Sequence, residues 1–364
     1  MSAPHLLVLA VDGLRASPLG AYGGSTTTPE IDRLASQAKL YDWHFANAPQ
    51  IERVYADLWN GGQVSLAQFL TQGGYQSALV ADDRLMLANP SATTFDVVGE
   101  VETGHIEKPA ETAATTWFAN SCEQLAAAVA ATTAKRTDNR PQFLWLHTRG
   151  LHGPWDAPSA SIQALLDEDE IELVTSLAPA TGRVTAEEPD APFIAACRYA
   201  AQLQVVDACV GNLLAYIDEA FQGEPLTFIL LGTRGYALGE HGVIGEDDRL
   251  YQETLHTPLL VRQADGSTAF TRVANPVGPA SLLASLSATD EGPSQDLRQQ
   301  SDSGAMAIQH QQWRLIRPAA SNGEQPSPEL YLKPDDRWEA NNVASRAADV
   351  VQRLEALLSP GETI

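Results

Sequence analysis

Asp12 is a candidate for a chemical role because of its place in the sequence. It follows an apolar run at residues 6–11 and precedes Gly13. Six apolar residues are too few to cross a membrane, and such a run is typical of a strand buried on both faces of a sheet. Ligands of open α/β sheets bind at the carboxyl ends of the strands, so the position favours a ligand-binding role for Asp12. The alternative is that Asp12 caps the following turn.

Two further predicted strands also lead into polar residues. The apolar segment 142–147 continues into a turn that contains His152, and the segment 226–231 continues into Thr233 and Arg234. The carboxyl ends of neighbouring parallel strands meet at one edge of a sheet. We therefore expect these side chains to lie near the end of the first strand.

The elements that must position these residues alternate between helix and strand patterns. Hydrophobic periodicity and capping residues predict helices at 29–38, 64–72, 111–134, 195–221 and 344–358, strands at 6–11, 76–81, 142–147, 226–231 and 258–262, and a hairpin at 305–317. This alternation predicts an α/β fold with a central, mostly parallel sheet sandwiched by helices.

Composition suggests where the chain divides. We predict an α/β core at 1–287, a flexible crossover rich in Ser, Gln, Asp and Gly at 288–304, and a small C-terminal α+β subdomain at 305–364. The acidic segment 167–190 is predicted to be an exposed excursion from the core.

The charge balance limits the partners. The 364 residues include 23 basic and 46 acidic side chains, which gives a net charge of −23. Such a surface repels polyanions, so no nucleic-acid partner is expected. No apolar run approaches the roughly 20 residues that cross a bilayer, and the first strand leaves no room for a signal peptide, so we expect a cytoplasmic protein without a membrane partner. Three cysteines without close spacing argue against a disulfide framework or a zinc site.

Several segments carry a family resemblance. VDGLRASPLGAYGGSTTTPEIDRLASQAKLYDWHFANA resembles the opening of the sulfatase family in the alkaline phosphatase superfamily, where a strand delivers an Asp metal ligand and an L-G-x-Y-G turn leads to a T-P-x-x-D-x-L-A helix. TFILLGTRGYALGEHGVIG is similar to the family's T-S-D-H-G…G-E-H-G block, and LYQETLHTPLLVR to the segment that follows it. The resemblance covers almost the whole chain, and it implies the family's fold and its small closing subdomain.

The segment that should supply the family's nucleophile has none. In the family this residue is a Cys or Ser in C/S-x-P-S-R, which is matured to formylglycine. The matching segment begins at Ala48 and contains no Cys, Ser or Thr as far as Asn60. Its single hydroxyl belongs to Tyr55, and a phenol cannot become formylglycine.

The positions that match the family's calcium ligands are also changed. Asp12 matches the first acidic ligand, but the next acid is Gly13 here, and the family's Asp-His or Asp-Asn pair aligns with Thr233 and Arg234. One carboxylate does not hold a cation that takes six to eight oxygens. Glu246 stands where the family has a Lys. We therefore expect no cofactor, with Asp12 as the sole remaining ligand of the usual acidic set.

Two histidines match residues of the family's pocket. His152 lies in L-H-G-P-W, where the family has a histidine that contacts the ester oxygen, and His241 lies in G-E-H-G. Taken alone, a histidine is more often a hydrogen-bonded structural residue. The motif context predicts that both face a remnant pocket with Thr233 and Arg234. Residues 80–85 lack the Lys and His of the family's G-K-W-H-L-G.

Loss of calcium raises the question of what balances the charge of Asp12. A buried carboxylate without a counter-ion costs several kcal/mol. Arg234 follows a strand next to that of Asp12. We predict an ion pair between Asp12 and Arg234 in the former metal site.

These residues support a sulfatase-like protein that has lost sulfate-ester hydrolysis, a pseudoenzyme with a possible anion-binding or regulatory role and an unidentified small anion or protein as partner. The alternative is a divergent sulfuric- or phosphoric-ester hydrolase with a rebuilt site that binds zinc, manganese or calcium. The candidate ligands under that alternative are His147, His152, His241, Asp12 and Asp82 or Asp83. A third possibility, a catalytic apparatus elsewhere in the chain, has no motif behind it.

Overall fold

The computed structural model describes residues 3–62, 64–104, 106–134, 139–166, 176–286, 296–320, 323 and 325–358. The α-helices in this part of the chain are α1 (Pro29–Gln37), α2 (Ile51–Asn60), α3 (Leu66–Gly73), α4 (Arg84–Leu87), α5 (Trp117–Ala134), α6 (Ser159–Leu166), α7 (Ala191–Ala220), α8 (Gln252–Leu255), α9 (Ser281–Leu286) and α10 (Ala348–Leu358). The strands are β1 (His5–Val11), β2 (Lys39–Tyr41), β3 (His44–Phe45), β4 (Gln76–Ala81), β5 (Val97–Glu100), β6 (Gln142–Thr148), β7 (Gly182–Arg183), β8 (Leu226–Gly232), β9 (Ala237–Leu238), β10 (Val243–Gly245), β11 (His256–Thr257), β12 (Leu259–Arg262), β13 (Thr271–Val273), β14 (Asp296–Gln300), β15 (Met306–His310), β16 (Trp313–Arg317) and β17 (Glu329–Leu332).

The central sheet has eight strands among the described residues, in the order β13-β2-β12-β8-β1-β6-β4-β5. β12 runs antiparallel to both of its neighbours, and the other adjacent pairs are parallel. β1 lies between β8 and β6, and each of its residues is buried. Burial on both faces explains its continuous apolar run.

Alternate residues of β1 face two separate cores. Leu7 and Leu9 pack in one core with apolar side chains of α1, α5, α6 and α7. Leu6 and Val8 pack in the other with side chains of α2, α3 and α9. Successive side chains of a strand point to opposite faces, so this arrangement gives a sheet covered by helices on both sides. The predicted fold class is confirmed.

Helix α7 is long and apolar enough, by length and composition alone, to cross a membrane. The sequence-based expectation that no segment comes close to this length was therefore too strong. Two thirds of the most apolar window of α7, 67%, is buried inside the protein. It contacts the helices α1, α5 and α6 and the strand β9, as expected of a core helix.

The C-terminal part forms a second, antiparallel sheet in the order β14-β15-β16-β17. On one face, Ile308 and Leu315 pack against Leu354 of α10. On the other face, Ala307 and Ile316 belong to the second core of the main sheet. The small subdomain is therefore joined to the core by packing as well as by the chain.

Two predicted elements differ from the structure. The helix expected from 111 begins at Trp117, whose N–H donates to the Oδ2 of Asp156 at 2.6 Å, and a 3₁₀ turn precedes it. The crossover predicted over 288–304 was wrong in part, because β14 lies within it and pairs with β15. Residues 288–295 lie outside the described residues.

Helix α2 was not predicted, although Ile51, Val54, Tyr55 and Leu58 have helical spacing and are buried. Of the acidic segment 167–190, residues 167–175 lie outside the described residues. The rest is exposed or half-buried and contains the two-residue strand β7.

Candidate functional site

The register of the central sheet brings Asp12, Thr233 and Arg234 together. Val11, the last residue of β1, pairs with Gly232 at the end of β8, and the Thr233 N–H donates to the carbonyl oxygen of Val11 at 3.2 Å. The chains therefore leave the sheet side by side, as the sequence predicted.

A tight turn at Gly13 positions the Asp12 carboxylate. Gly13 has a φ of +76°, which favours glycine, and a Cβ at this position would lie 2.9 Å from the carbonyl carbon of Leu151. The Gly13 N–H donates to Asp12 Oδ1 at 3.1 Å. The residue that replaces the family's second acid thus lets the chain turn against the loop after β6.

Asp12 and Arg234 form a buried, bidentate ion pair. Arg234 Nε donates to Asp12 Oδ1 at 3.1 Å, and Arg234 Nη2 donates to Asp12 Oδ2 at 3.1 Å. The Thr233 hydroxyl donates to Oδ1 at 2.8 Å. Asp12 is 2% exposed and Arg234 9%. Parallel N–H···O bonds of this kind are among the strongest polar contacts in proteins.

The electrostatics of the pair keep both groups charged. Burial alone would raise the pKa of Asp12, but the positive charge of Arg234, with smaller contributions from His152 and Thr233, lowers this pKa to about 2. Burial acts against the charge of Arg234, yet the Asp12 carboxylate raises the pKa of the guanidinium above its ordinary value. The pair is therefore ionised at neutral pH.

Glu246 extends this pair into a cluster of four side chains. Its Oε1 forms an ion pair with Arg234 Nη2 at 2.9 Å and lies 2.8 Å from His152 Nδ1. The other ring nitrogen of His152 lies 3.2 Å from the Gly235 carbonyl oxygen and 4.0 Å from Asp12 Oδ1. The hydrogen bond with His152 and the charge of Arg234 lower the pKa of Glu246 to about 2, although burial acts in the opposite direction. We call Asp12, Arg234, Glu246 and His152 the ion cluster.

The turn before α2 is tied to the ion cluster, and α2 supplies Tyr55. Arg234 Nη1 donates to the Pro49 carbonyl oxygen at 3.3 Å. The Tyr55 hydroxyl donates to Asp83 Oδ2 at 2.5 Å and lies 2.7 Å from His147 Nε2. Tyr55 is 1% exposed, and burial, followed by the charges of Asp12 and Asp83, raises its pKa well above the ordinary value. A neutral, enclosed phenol is a poor nucleophile.

The acids at the end of β4 are also engaged. Asp82 Oδ2 accepts from the hydroxyls of Ser121 and Thr148 at 2.7 and 2.6 Å, and its Oδ1 accepts from the Arg149 N–H at 2.7 Å. Asp83 Oδ1 accepts from the Leu85 N–H, which caps α4. Both acids therefore serve the fold of this edge.

The structure does not bring His241 into the ion cluster. Its Nδ1 lies 2.9 Å from Glu253 Oε1, its Nε2 lies 3.2 Å from the Glu339 carbonyl oxygen, and its ring stacks on Tyr251 with centroids 3.7 Å apart. Burial opposes the charge of His241, but the bond with Glu253 raises its pKa. In the described part of the chain, no hydrogen bond or ion pair joins His241 to the ion cluster.

The side chains present do not fit the calcium ion of the resemblance. Both oxygens of Asp12 already accept hydrogen bonds, and the guanidinium of Arg234 lies directly against them. Calcium takes six to eight oxygen ligands. Among the described residues, no three His, Cys, Asp or Glu side chains are grouped so that they could hold a metal ion. The chemistry of this donor set is that of an ion cluster in which Arg234 occupies the oxygens of Asp12.

Solved structures share this fold over nearly the whole chain. The complex of BT4656 with its substrate D-glucosamine-2-N,6-O-disulfate is 16% identical, covers 98% of this chain and 97% of that chain, and has a TM-score of 0.70. The phosphonate monoester hydrolase of Agrobacterium radiobacter is 16% identical, with coverages of 98% and 95% and a TM-score of 0.69. BT1596, a 2-O GAG sulfatase, is 14% identical, with coverages of 98% and 91% and a TM-score of 0.68. These structures therefore show that the chain shares their fold.

The family itself follows from the sequence. The model of the family described as Sulfatase matches residues 4–289, well over half of the chain. The chain belongs to the sulfatase family. A comparison with curated proteins gave no match.

Proposed function

We propose that this chain is a sulfatase-family protein that no longer hydrolyses sulfate esters. The observation that carries the proposal is the guanidinium of Arg234, held 3.1 Å from Asp12 at the edge where the resemblance puts a divalent cation. A cation fixed in this way neutralises Asp12, but it offers no free coordination position to a sulfate oxygen or to a nucleophile.

The absence of an attacking group from the matching segment supports the same conclusion. Hydrolysis through the family's covalent route needs an activated oxygen beside the cation. Residues 48–60 offer only the Tyr55 hydroxyl, which is bonded to Asp83 and enclosed by the fold. The alternative, a rebuilt metal site, would need the ligands named above to be available. His147, Asp82 and Asp83 instead bond to groups of the protein.

The test combines metal analysis with a substrate panel. The purified chain is analysed for calcium, zinc and manganese, and is then assayed with 4-nitrophenyl sulfate, phosphate and phenylphosphonate, with and without each added cation. We expect less than stoichiometric metal and no turnover above that of heat-denatured protein. Stoichiometric metal, or turnover that is lost in His152→Ala and kept in the distant control His310→Ala, would refute the proposal.

A further inference from the structure

A cavity of about 490 Å³ opens next to the ion cluster, and His152 is one of its lining residues. This volume lies in the range of small-molecule sites. Polar and apolar groups both line it, and Arg149 provides a cation. The residues that matter here are Ile106, Trp117, Arg149, Pro154, Leu177 and Pro179.

Arg149 differs from Arg234, whose guanidinium is paired with the carboxylates of Asp12 and Glu246. Arg149 directly follows β6 and is half-buried. Its backbone N–H donates to Asp82 Oδ1, and its carbonyl oxygen accepts from the His152 N–H at 2.8 Å. Its Nε is buried without a hydrogen-bond partner, and in the described ranges its guanidinium forms no ion pair. A buried donor that is left unpaired lowers the stability of the fold. An acceptor from a ligand would remove that cost.

The guanidinium is also held in place. Its carbon lies 4.9 Å from the centre of the Trp117 ring, a cation–π contact. Trp117 is 3% exposed, and Gly153 packs so closely that a Cβ there would lie 2.9 Å from the ring. A fixed planar fork of N–H donors matches the two oxygens of a carboxylate or sulfate group.

We propose that this cavity binds a small organic anion, one that carries a single carboxylate or sulfate group on a ring-sized apolar body. Arg149 receives the oxyanion, and the body packs against Ile106, Pro154, Leu177 and Pro179. The site borders the ion cluster, because His152 lines the cavity as well. This proposal rests on the proposed function in one respect: a bound sulfate ester is not hydrolysed.

Calorimetric titration of the full chain tests the site with three probes of the same size. The probes are 4-nitrophenyl sulfate, 4-nitrobenzoate and the neutral 4-nitrobenzamide. We expect the two anions to bind and the amide to bind at least about tenfold more weakly, since a charge-assisted hydrogen bond is lost. Equal binding of the amide, or no binding of either anion at millimolar concentration, would overturn the proposal.

Variants locate the site. Arg149→Gln is expected to weaken both anions at least about tenfold, while the control Arg53→Gln, which removes an exposed guanidinium paired with Asp302, leaves their affinity unchanged. Leu177→Glu adds a carboxylate to the lining, leaves Arg149 in place and should weaken the anions as well. Wild-type affinity in both lining variants would show that the anions bind elsewhere.

The same samples separate this proposal from the proposed function. Release of nitrophenol from 4-nitrophenyl sulfate would refute the loss of hydrolysis and leave the anion site standing. Failure of both anions to bind, without turnover, would refute the anion site alone.

Discussion

The ion pair between Asp12 and Arg234 makes a quantitative prediction for the free energy of unfolding. Removing one member of a buried pair costs about 3–5 kcal/mol, because the other charge is left uncompensated. Arg234 keeps Glu246 as a partner in Asp12→Asn, and Asp12 keeps Thr233 in Arg234→Met, so we expect each single change to cost about 3 kcal/mol, the low end of that range.

The double variant Asp12→Asn/Arg234→Met leaves neither charge alone. Its cost should therefore be close to that of one single variant, which gives a coupling energy of about 3 kcal/mol. Urea denaturation of the four proteins measures this value. A matched cycle on Arg53 and Asp302, a pair with an N···O distance of 2.7 Å but 42% and 62% exposed, should give less than about 1 kcal/mol.

The pH dependence gives an independent check on the pair. The pKa of an Asp side chain in an unfolded chain is 3.8, and that of Asp12 in the folded protein is about 2. The charge of Asp12 therefore stabilises the fold by about 2 kcal/mol above pH 4. This contribution is lost as the pH falls from 4 to 2, and the gap between wild type and Asp12→Asn should narrow over that window. Additive effects in the cycle, or a gap independent of pH, would refute the reasoning.

Three further substitutions test other parts of the site. Tyr55→Phe should destabilise the fold by about 1–3 kcal/mol in urea, because two buried partners lose a hydrogen bond; an unchanged midpoint would contradict the assigned contacts. Gly13→Ala should lower the thermal midpoint by the equivalent of about 1–3 kcal/mol, since φ is +76° and Leu151 blocks a Cβ; a neutral effect would exclude that strain. Glu246→Gln should cost only about 1 kcal/mol, because its side chain is 56% exposed; a cost above that of Asp12→Asn would reverse the assigned order.

Local patterns were enough to predict the main sheet and the edge of the site. The apolar runs of β1, β6 and β8 indicated buried parallel strands, and the rule on strand ends placed Asp12 near Thr233 and Arg234. Helix α2 could have been found from its apolar spacing. β14 could not, because its sequence DLRQQ has little apolar alternation and its pairing with β15 decides its structure.

The remaining parts of the site depend on contacts between distant segments. The replacement of a Lys by Glu246 was visible in the sequence, but its role became clear only with Arg234 and His152 around it. The start of α5 depends on Asp156, 39 residues away. His241 has the motif of a pocket residue, yet Glu253 and Glu339 hold it in a different cluster.

The mutual neutralisation within the ion cluster has an evolutionary consequence. Arg234→Asn alone would remove the guanidinium that balances the buried charge of Asp12. Glu246→Lys alone would set a new cation against Arg234. Each of these two steps back toward the family's residues thus passes through a less stable intermediate. Selection for folding alone is therefore enough to keep the present side chains of the cluster.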